Sequence, residues 1–438
     1  MRLGLAVFSG ALTRSANAWK RRSLRARTSA RIGLILSGGG ARAAYQAGVL
    51  AAITRMLPPG APSPFRIICG TSAGALNAAL LAAHADDFAL GVHRIMTTWA
   101  SLRASSVHCT EPGVVARSVA RWVWAAMAGG SRGRPVSLLD NTPLRDLVRD
   151  LVDFSAVRGA IRNGRLDALC VTASSYDRGR SVSFFEGHDQ LRPWSRARRV
   201  GVRATLGPEH LLGSSAIPFI YPPERIGDEH FGDGAMQQLA PISPALHLGA
   251  DRVFIVGVGQ ATGPLSNAEV ASHPTLGQIG GHIIDAIFTD TLEMDLERLR
   301  RINETVALIP ASLRSRSGMN WRPVDALVVT PSKSFAHATA RHAHHLPPAI
   351  RVLLRALGAM REDRTNVLSY LLTEGRYCSS LMRQGFRDAI ARRIDICRFL
   401  DLEVPVPWRR RSITRLARTA TAGAPAVGGP ALPEGSSP

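Results

Sequence analysis

Three short stretches carry groups that could do chemistry together. "GTSAG" (Gly70–Gly74) follows the apolar run "FRIIC" and precedes a helix-like stretch, so Gly-x-Ser-x-Gly falls at a strand-to-helix turn. Such a turn is a nucleophile elbow, which lifts a serine Oγ clear of its sheet. Ser72 is therefore a candidate nucleophile, the plainer alternative being a helix N-cap, a position serine also favours. "GGGAR" (Gly38–Arg42) closes the preceding strand-like run, so the amides of Gly38, Gly39, Gly40, Ala41 and Arg42 can converge on an anion with few Cβ atoms in the way. An oxyanion hole needs donors about 3 Å from the developing negative charge, and removing one typically costs about 2.7–4 kcal/mol. Gly38-x-Gly40-x-x-Ala43 also fits a dinucleotide fingerprint, but that reading wants an acid about 20 residues on. No Asp or Glu occurs between Arg31 and Ala85.

The proton of Ser72 needs an acceptor. An α/β-hydrolase would supply Ser, then Asp or Glu, then His. None of the 13 histidines stands in a loop after a strand with an acid before it. His337, His342, His344 and His345 cluster far downstream in "FAHATARHAHH", where no acid or cysteine completes a metal-ligand set, and they read as surface residues. "GDEHFGDGAMQQLAP" (Gly227–Pro241) presents Asp233 in Asp-Gly-Ala, with His230 close by. Alone, Asp-Gly is an ordinary turn signal.

In order along the chain, "GGGARA", "GTSAG" and "DGA", with the proline-rich "SSAIPFIYPP" (Ser214–Pro223) before the acid, resemble the motifs of the patatin-like phospholipase family. The resemblance spans Ile32 to His247; Ala43 and Tyr221 depart from the usual Gly and Phe. It implies a three-layer α/β/α fold on a mainly parallel sheet, with a Ser–Asp dyad that uses no histidine. Ser72 would be the nucleophile and Asp233 the proton acceptor. Gly38–Arg42 would form the oxyanion hole, with Gly70, Gly74, Gly234 and Ala235 completing the motifs. Such an enzyme calls for no cofactor and no metal, acts on acyl lipids, and meets a membrane or droplet surface. The alternative is a lipid-binding or membrane-associated regulatory protein with a slow or unused acyl site.

The elements that must position these groups follow from the apolar pattern. Strands are expected at Arg31–Gly38, Phe65–Gly70, Leu166–Ser174, Arg180–Gly187, Arg252–Val258 and Ala326–Pro331, and helices at Ala44–Met56 and after Ser72. Strand–helix–strand–helix order signals βαβ units in a parallel sheet. Further helical patterns cover Val202–Leu212, Ile279–Glu304, Asp363–Leu372 and Ser379–Phe399. The expected organisation is a basic leader (1–30), a catalytic domain (32–247), a C-terminal strand-plus-helical extension packed on it (248–400), and a basic, then Pro/Gly/Ala-rich disordered tail (405–438).

Of 438 residues, 54 are Lys or Arg and 33 Asp or Glu, a net charge of +21 carried almost wholly by arginine. Arginine excess accompanies coding composition as well as attraction to anionic lipid. No nucleic-acid-binding signature appears, so no nucleic-acid partner is expected. Five cysteines without C-x-x-C spacing fit a reducing compartment, with Cys69 and Cys170 buried. The short run "LGLAVFSGAL" is followed at once by "KRRSLRAR", which disfavours export, so the expected location is cytoplasmic, peripheral to membrane. "VARSVARWVWAAMAGG" (Val115–Gly130) mixes arginines with tryptophans and reads either as an interfacial helix or as a core helix, the core reading having the edge. No spanning segment is expected, and oligomeric state is left open.

Overall fold

The computed structural model describes residues 30–127, 137–259, 276–316, 322–356 and 366–403. The expected tail and all but the last residue of the expected leader lie outside them. In chain order the strands are β1 (Ile32–Leu36), β2 (Ile67–Thr71), β3 (Ala168–Ser175), β4 (Arg180–Gly187), β5 (Trp194–Arg196), β6 (Arg199–Arg203), β7 (Glu224–Ile226), β8 (Glu229–Asp233), β9 (Arg252–Val256) and β10 (Asp325–Val329). The first helices are α1 (Ala44–Thr54), α2 (Ala73–Ala83), α3 (Phe88–Ser101), α4 (Pro112–Met127), α5 (Thr142–Leu151), α6 (Phe154–Arg162), α7 (Pro208–Ser214) and α8 (Ser243–His247). They are followed by α9 (Leu276–Ala307), α10 (Ala311–Arg316), α11 (Ala336–His342), α12 (Pro348–Ala356), α13 (Asn366–Leu371), α14 (Gly375–Ala391) and α15 (Arg393–Phe399).

One sheet runs β10-β9-β1-β2-β3-β4-β6-β5, and its first five strands are mutually parallel. A parallel strand is covered on both faces, which is why β1, β2 and β9 are continuous apolar runs. Side chains alternate between the faces. Leu34, Leu36, Ile68, Phe254 and Val256 point into the larger core with α1, α2 and α14. Ile35, Ile67, Cys69, Val253 and Ile255 join the smaller core with Ala245, Leu248 and Leu299. The fold is thus the three-layer α/β class expected.

Two expectations need correction. Val202–Leu212 is not one helix: β6 runs to Arg203, paired in parallel with β4, and α7 starts at Pro208. The free edge of β4 offers hydrogen bonds that the local apolar pattern does not reveal, and Pro208 then sits in the first turn, where a missing N–H costs nothing. The stretch at Ser379–Phe399 is two helices, beginning at Gly375 and interrupted at Arg392.

Residues 248–400 also do more than pack on a finished domain. β9 pairs with β1 over five residues, from Ile32↔Arg252 to Leu36↔Val256, and β10 extends the sheet beyond β9. α1 is buried from Ala44 to Ile53 because α14 covers the side turned away from the sheet. The two helices approach backbone to backbone: a Cβ on Gly48 would lie 1.9 Å from Met382 O, and one on Gly385 2.1 Å from Tyr45 O. Among the described residues no helix is long and apolar enough to cross a membrane.

Candidate active site

β3 is the template that brings Ser72 and Asp233 together. Thr71, the last residue of β2, pairs with Thr172, and Asp233, the last of β8, pairs with Ala173. β2 and β8 therefore occupy the same side of β3 end to end, running in opposite directions, and Ser72 meets Asp233 where they converge. Ser72 Oγ donates to Asp233 Oδ2 at 2.6 Å, and both residues are buried.

Ser72 stands at φ 54°, ψ −132° as the N-cap of α2. A non-glycine residue in such a region is strained by about 1–3 kcal/mol and persists only when its surroundings hold it. The holding contacts are visible. Ser72 N–H donates to Ser214 Oγ (2.8 Å), and Ser214 Oγ donates on to Thr172 O (2.6 Å). The flanking glycines make the sharp turn possible. A Cβ on Gly70 would lie 2.5 Å from Ala75 Cα, and one on Gly74 2.4 Å from Leu36 O, so any other residue would push α2 off the sheet. Position in the turn also sets Ser72 at the N-terminus of α2, where the helix dipole favours negative charge.

Asp233 is held from its other oxygen: Ala235 N–H donates to Oδ1 at 2.9 Å. Gly234 is required by close approach, as its Cβ would come 2.0 Å from Thr172 O. Burial pushes the Asp233 carboxyl up to about 7, against the pull of the Ser72 and Ala235 hydrogen bonds.

The glycine loop follows β1 at the C-terminal end of the parallel strands, where ligands of open α/β sheets bind. Gly38 and Gly39 are buried, and Gly40 reaches φ +52°. Arg42 N–H donates to Gly39 O at 3.0 Å, closing the first turn of a short 3-10 segment, Gly40–Ala43. That amide is engaged within the loop's own turn. Beneath the loop lies a buried amide network. Gln46 Nε2 donates to Ser37 O (2.8 Å), Asn77 Nδ2 to Gln46 Oε1 (2.9 Å) and Ala43 O (3.1 Å), and Trp99 Nε1 to Asn77 Oδ1 (2.8 Å).

Arg42, which the sequence offers as a loop stabiliser, a contact for a lipid phosphate or an ordinary surface or loop-bridging arginine, has a buried side chain that reaches the C-terminal region. Nε donates to Ser369 Oγ (2.7 Å), Nη1 to Tyr370 OH (2.8 Å), and the guanidinium lies 3.9 Å from the centre of the Tyr370 ring. Tyr370 O in turn sits where a Gly40 Cβ would be, 2.3 Å away. Ser369 and Tyr370 escaped the sequence reading, and so did the part Ser214 plays within the quoted proline-rich loop; nothing local marks a serine or tyrosine as a partner of a residue more than 100 positions distant.

Gly40 and Ser72 open on an apolar cavity of about 70 Å³, walled among others by Trp99, Leu102, Leu144, Ile217 and Tyr370. Tyr221, at the position where the motif comparison expects Phe, also lines it and lies 3.3 Å from His108 Nδ1. The histidine cluster is elsewhere: His344 is exposed, His342 and His345 are half-buried, and their rings lean on one another and on Tyr377. His230 is exposed on β8, its N–H donating to Asp177.

Residues 34–246 match the family described as Patatin-like phospholipase. This stretch of the chain is a patatin-like phospholipase domain. Its family places it among lipid hydrolases. The patatin-like match holds Ser72, Asp233 and the glycine loop but stops before β9, whereas Ser369 and Tyr370, which grip the loop, lie well outside it. No curated protein sequence matches the chain. Among solved structures it is similar to VipD from Legionella pneumophila, at 12% identity and a TM-score of 0.25, over 80% of this chain and 67% of that one. It is also similar to human GIVD cytosolic phospholipase A2 in complex with methyl gamma-linolenyl fluorophosphonate, at 13% identity and a TM-score of 0.39. That likeness covers 86% of this chain and 59% of the human one.

The grip on the patatin-like loop has a measurable consequence. Arg42→Ala removes two hydrogen bonds from a guanidinium to buried hydroxyls and is expected to cost roughly 2–4 kcal/mol in urea unfolding, with soluble-ester hydrolysis falling alongside. Arg42→Lys should restore little, because an ammonium lacks the planar fork that spans Ser369 and Tyr370. Equal stability of wild type and Arg42→Ala would remove the grip from the account.

Proposed function

We propose that the protein is a serine acyl hydrolase cleaving carboxylic esters of lipids through an acyl-Ser72 intermediate. The observation that supports this is the 2.6 Å hydrogen bond from Ser72 Oγ to the buried Asp233, on the wall of an apolar cavity it shares with the glycine loop. Ser72 Oγ adds to the ester carbonyl as its proton passes to Asp233 Oδ2. The carbonyl electron pair moves to oxygen, which is held by loop amides of Gly38 to Ala41 and by the N-terminus of α2. Collapse breaks the C–O bond, and the leaving alcohol takes the proton from Asp233. Water, deprotonated by the same carboxylate, then attacks the acyl-serine. The fatty acid leaves, and Ser72 recovers its proton. A carboxylate is a weak base in water; burial, which raises Asp233 to about 7, makes it an effective one at neutral pH.

The test is covalent labelling beside turnover. A fluorophosphonate should add to wild type and leave folded Ser72→Ala unmodified by mass spectrometry. Hydrolysis of p-nitrophenyl esters should fall about 10³-fold or more in Ser72→Ala. Equal labelling of both proteins would show that Ser72 is not the nucleophile.

A further inference from the structure

α4 departs from the cavity wall and returns to it. Val107, before the helix, and Leu144 and Leu147, after it, all line the cavity beside Ser72. The base of this excursion is tied where Cys109 N–H donates to Asp140 O at 2.9 Å. One face of α4 is anchored, with Val115 and Ser118 buried. The other face is unusual for a helix in water. Trp124 is 71% exposed, Met127 83% and Val123 45%. Arg117 and Arg121 are exposed, and residues 117, 120, 124 and 127 follow the three-and-four spacing of one helix face. α12 packs against α4 and exposes Val352 and Arg355. Neither helix contains an Asp or Glu.

The core reading of this helix from the sequence is therefore corrected: Trp122 is half-buried, but Trp124 faces outward. A face that combines an exposed tryptophan and methionine with arginines and no acid suits the boundary of an anionic bilayer. There the ring and thioether sit among the acyl chains while the guanidinium groups meet phosphates. A second copy docking symmetrically on the same face would set arginine against arginine, which charge opposes.

We propose that α4 is an interfacial helix that docks the protein on anionic phospholipid surfaces through Trp124 and Met127, flanked by Arg117 and Arg121. Docking in this way would hold the cavity rim against the lipid that supplies substrate. That consequence rests on the acyl-hydrolase reading, whereas the docking itself does not.

The experiment is flotation of the full-length protein with vesicles of phosphatidylcholine alone or mixed with phosphatidylglycerol. It is run in the Ser72→Ala background so that the vesicles stay intact. The protein should float with the mixed vesicles and be released by added salt. Trp124→Ala/Met127→Ala and Arg117→Ala/Arg121→Ala should each weaken partitioning roughly tenfold or more, with thermal melts unchanged because all four side chains are exposed. The same pairs placed in the active protein should leave soluble-ester hydrolysis unaltered, which separates loss of docking from loss of the acyl site. Unchanged flotation of both variants would overturn the proposal. So would a concentration-dependent dimer, seen by light scattering, that Trp124→Ala/Met127→Ala abolishes, since a second copy would then be the occupant.

Discussion

Asp233→Asn should abolish most ester hydrolysis and at the same time make the protein more stable at alkaline pH. A positioned general base contributes about 10²–10⁴-fold to rate, and an amide cannot accept the Ser72 proton. Wild-type kcat/KM should rise as pH increases through about 7, because the base must be ionised, and the variant should lack this limb. The stability effect follows from linkage. Asp233 ionises near 7 in the folded protein, against 3.8 for the unperturbed carboxyl. Below 3.8 both folded and unfolded chains hold the proton, and no penalty exists. Between 3.8 and about 7 the unfolded chain has lost the proton while the folded one keeps it, so stability falls as pH rises. Above about 7 the loss is complete, on the order of 4 kcal/mol. Asparagine never ionises, so denaturant unfolding at pH 8 should find the variant more stable by up to a few kcal/mol, the gap closing towards pH 4. Parallel pH dependence in the two proteins would mean that Asp233 is not the group buried without its charge. A folded Asp233→Asn with full activity would mean that another group takes the proton.

A chain ended after His247 should fail to fold, although it contains the complete patatin-like match. Such a cut removes β9 and β10 from one side of β1 and strips α14 from α1. Among the side chains lost from the interior are Phe254, Ile255, Val256, Phe335, Tyr377 and Leu381, all fully or almost fully buried. At about 1.5–3 kcal/mol each, six such groups contribute a burial term comparable with the roughly 5–15 kcal/mol by which domains are stable. The opposite faces of β1 and α1 would meet water at the same time. The expected result is aggregation on expression, or a product that binds a hydrophobic dye and melts without a cooperative transition. A soluble, cooperatively melting fragment would make residues 248–400 a true accessory.

What the residues determined unaided is local. Gly70-Thr-Ser-Ala-Gly74 dictates an elbow because only glycine lets α2 press on β1 and β2. Asp233-Gly234 dictates a turn because Gly234 must pass beneath Thr172 O. The continuous apolar runs of β1, β2 and β9 announced a sheet covered on both faces, and the glycine loop announced its own position at a strand end. Each of these signals is written in consecutive residues, although the backbone that Gly74 and Gly234 must clear belongs to Leu36 and Thr172.

Tertiary structure decided what depends on residues far apart. That β2 and β8 share one side of β3, and so bring Ser72 to Asp233, is a matter of register between strands 161 residues apart at their reacting ends. The hold of Ser214 on the strained Ser72 amide, and of Ser369 and Tyr370 on Arg42, are contacts made by common residue types with no pattern to announce them. The end of β6, Val202–Arg203, falls within a stretch whose pattern predicts helix, because a strand's edge partner lies outside its own sequence. The outward turn of Trp124 was equally hidden, since a tryptophan on a helix suits a core or a surface alike. Only which face the rest of the fold covers makes the choice.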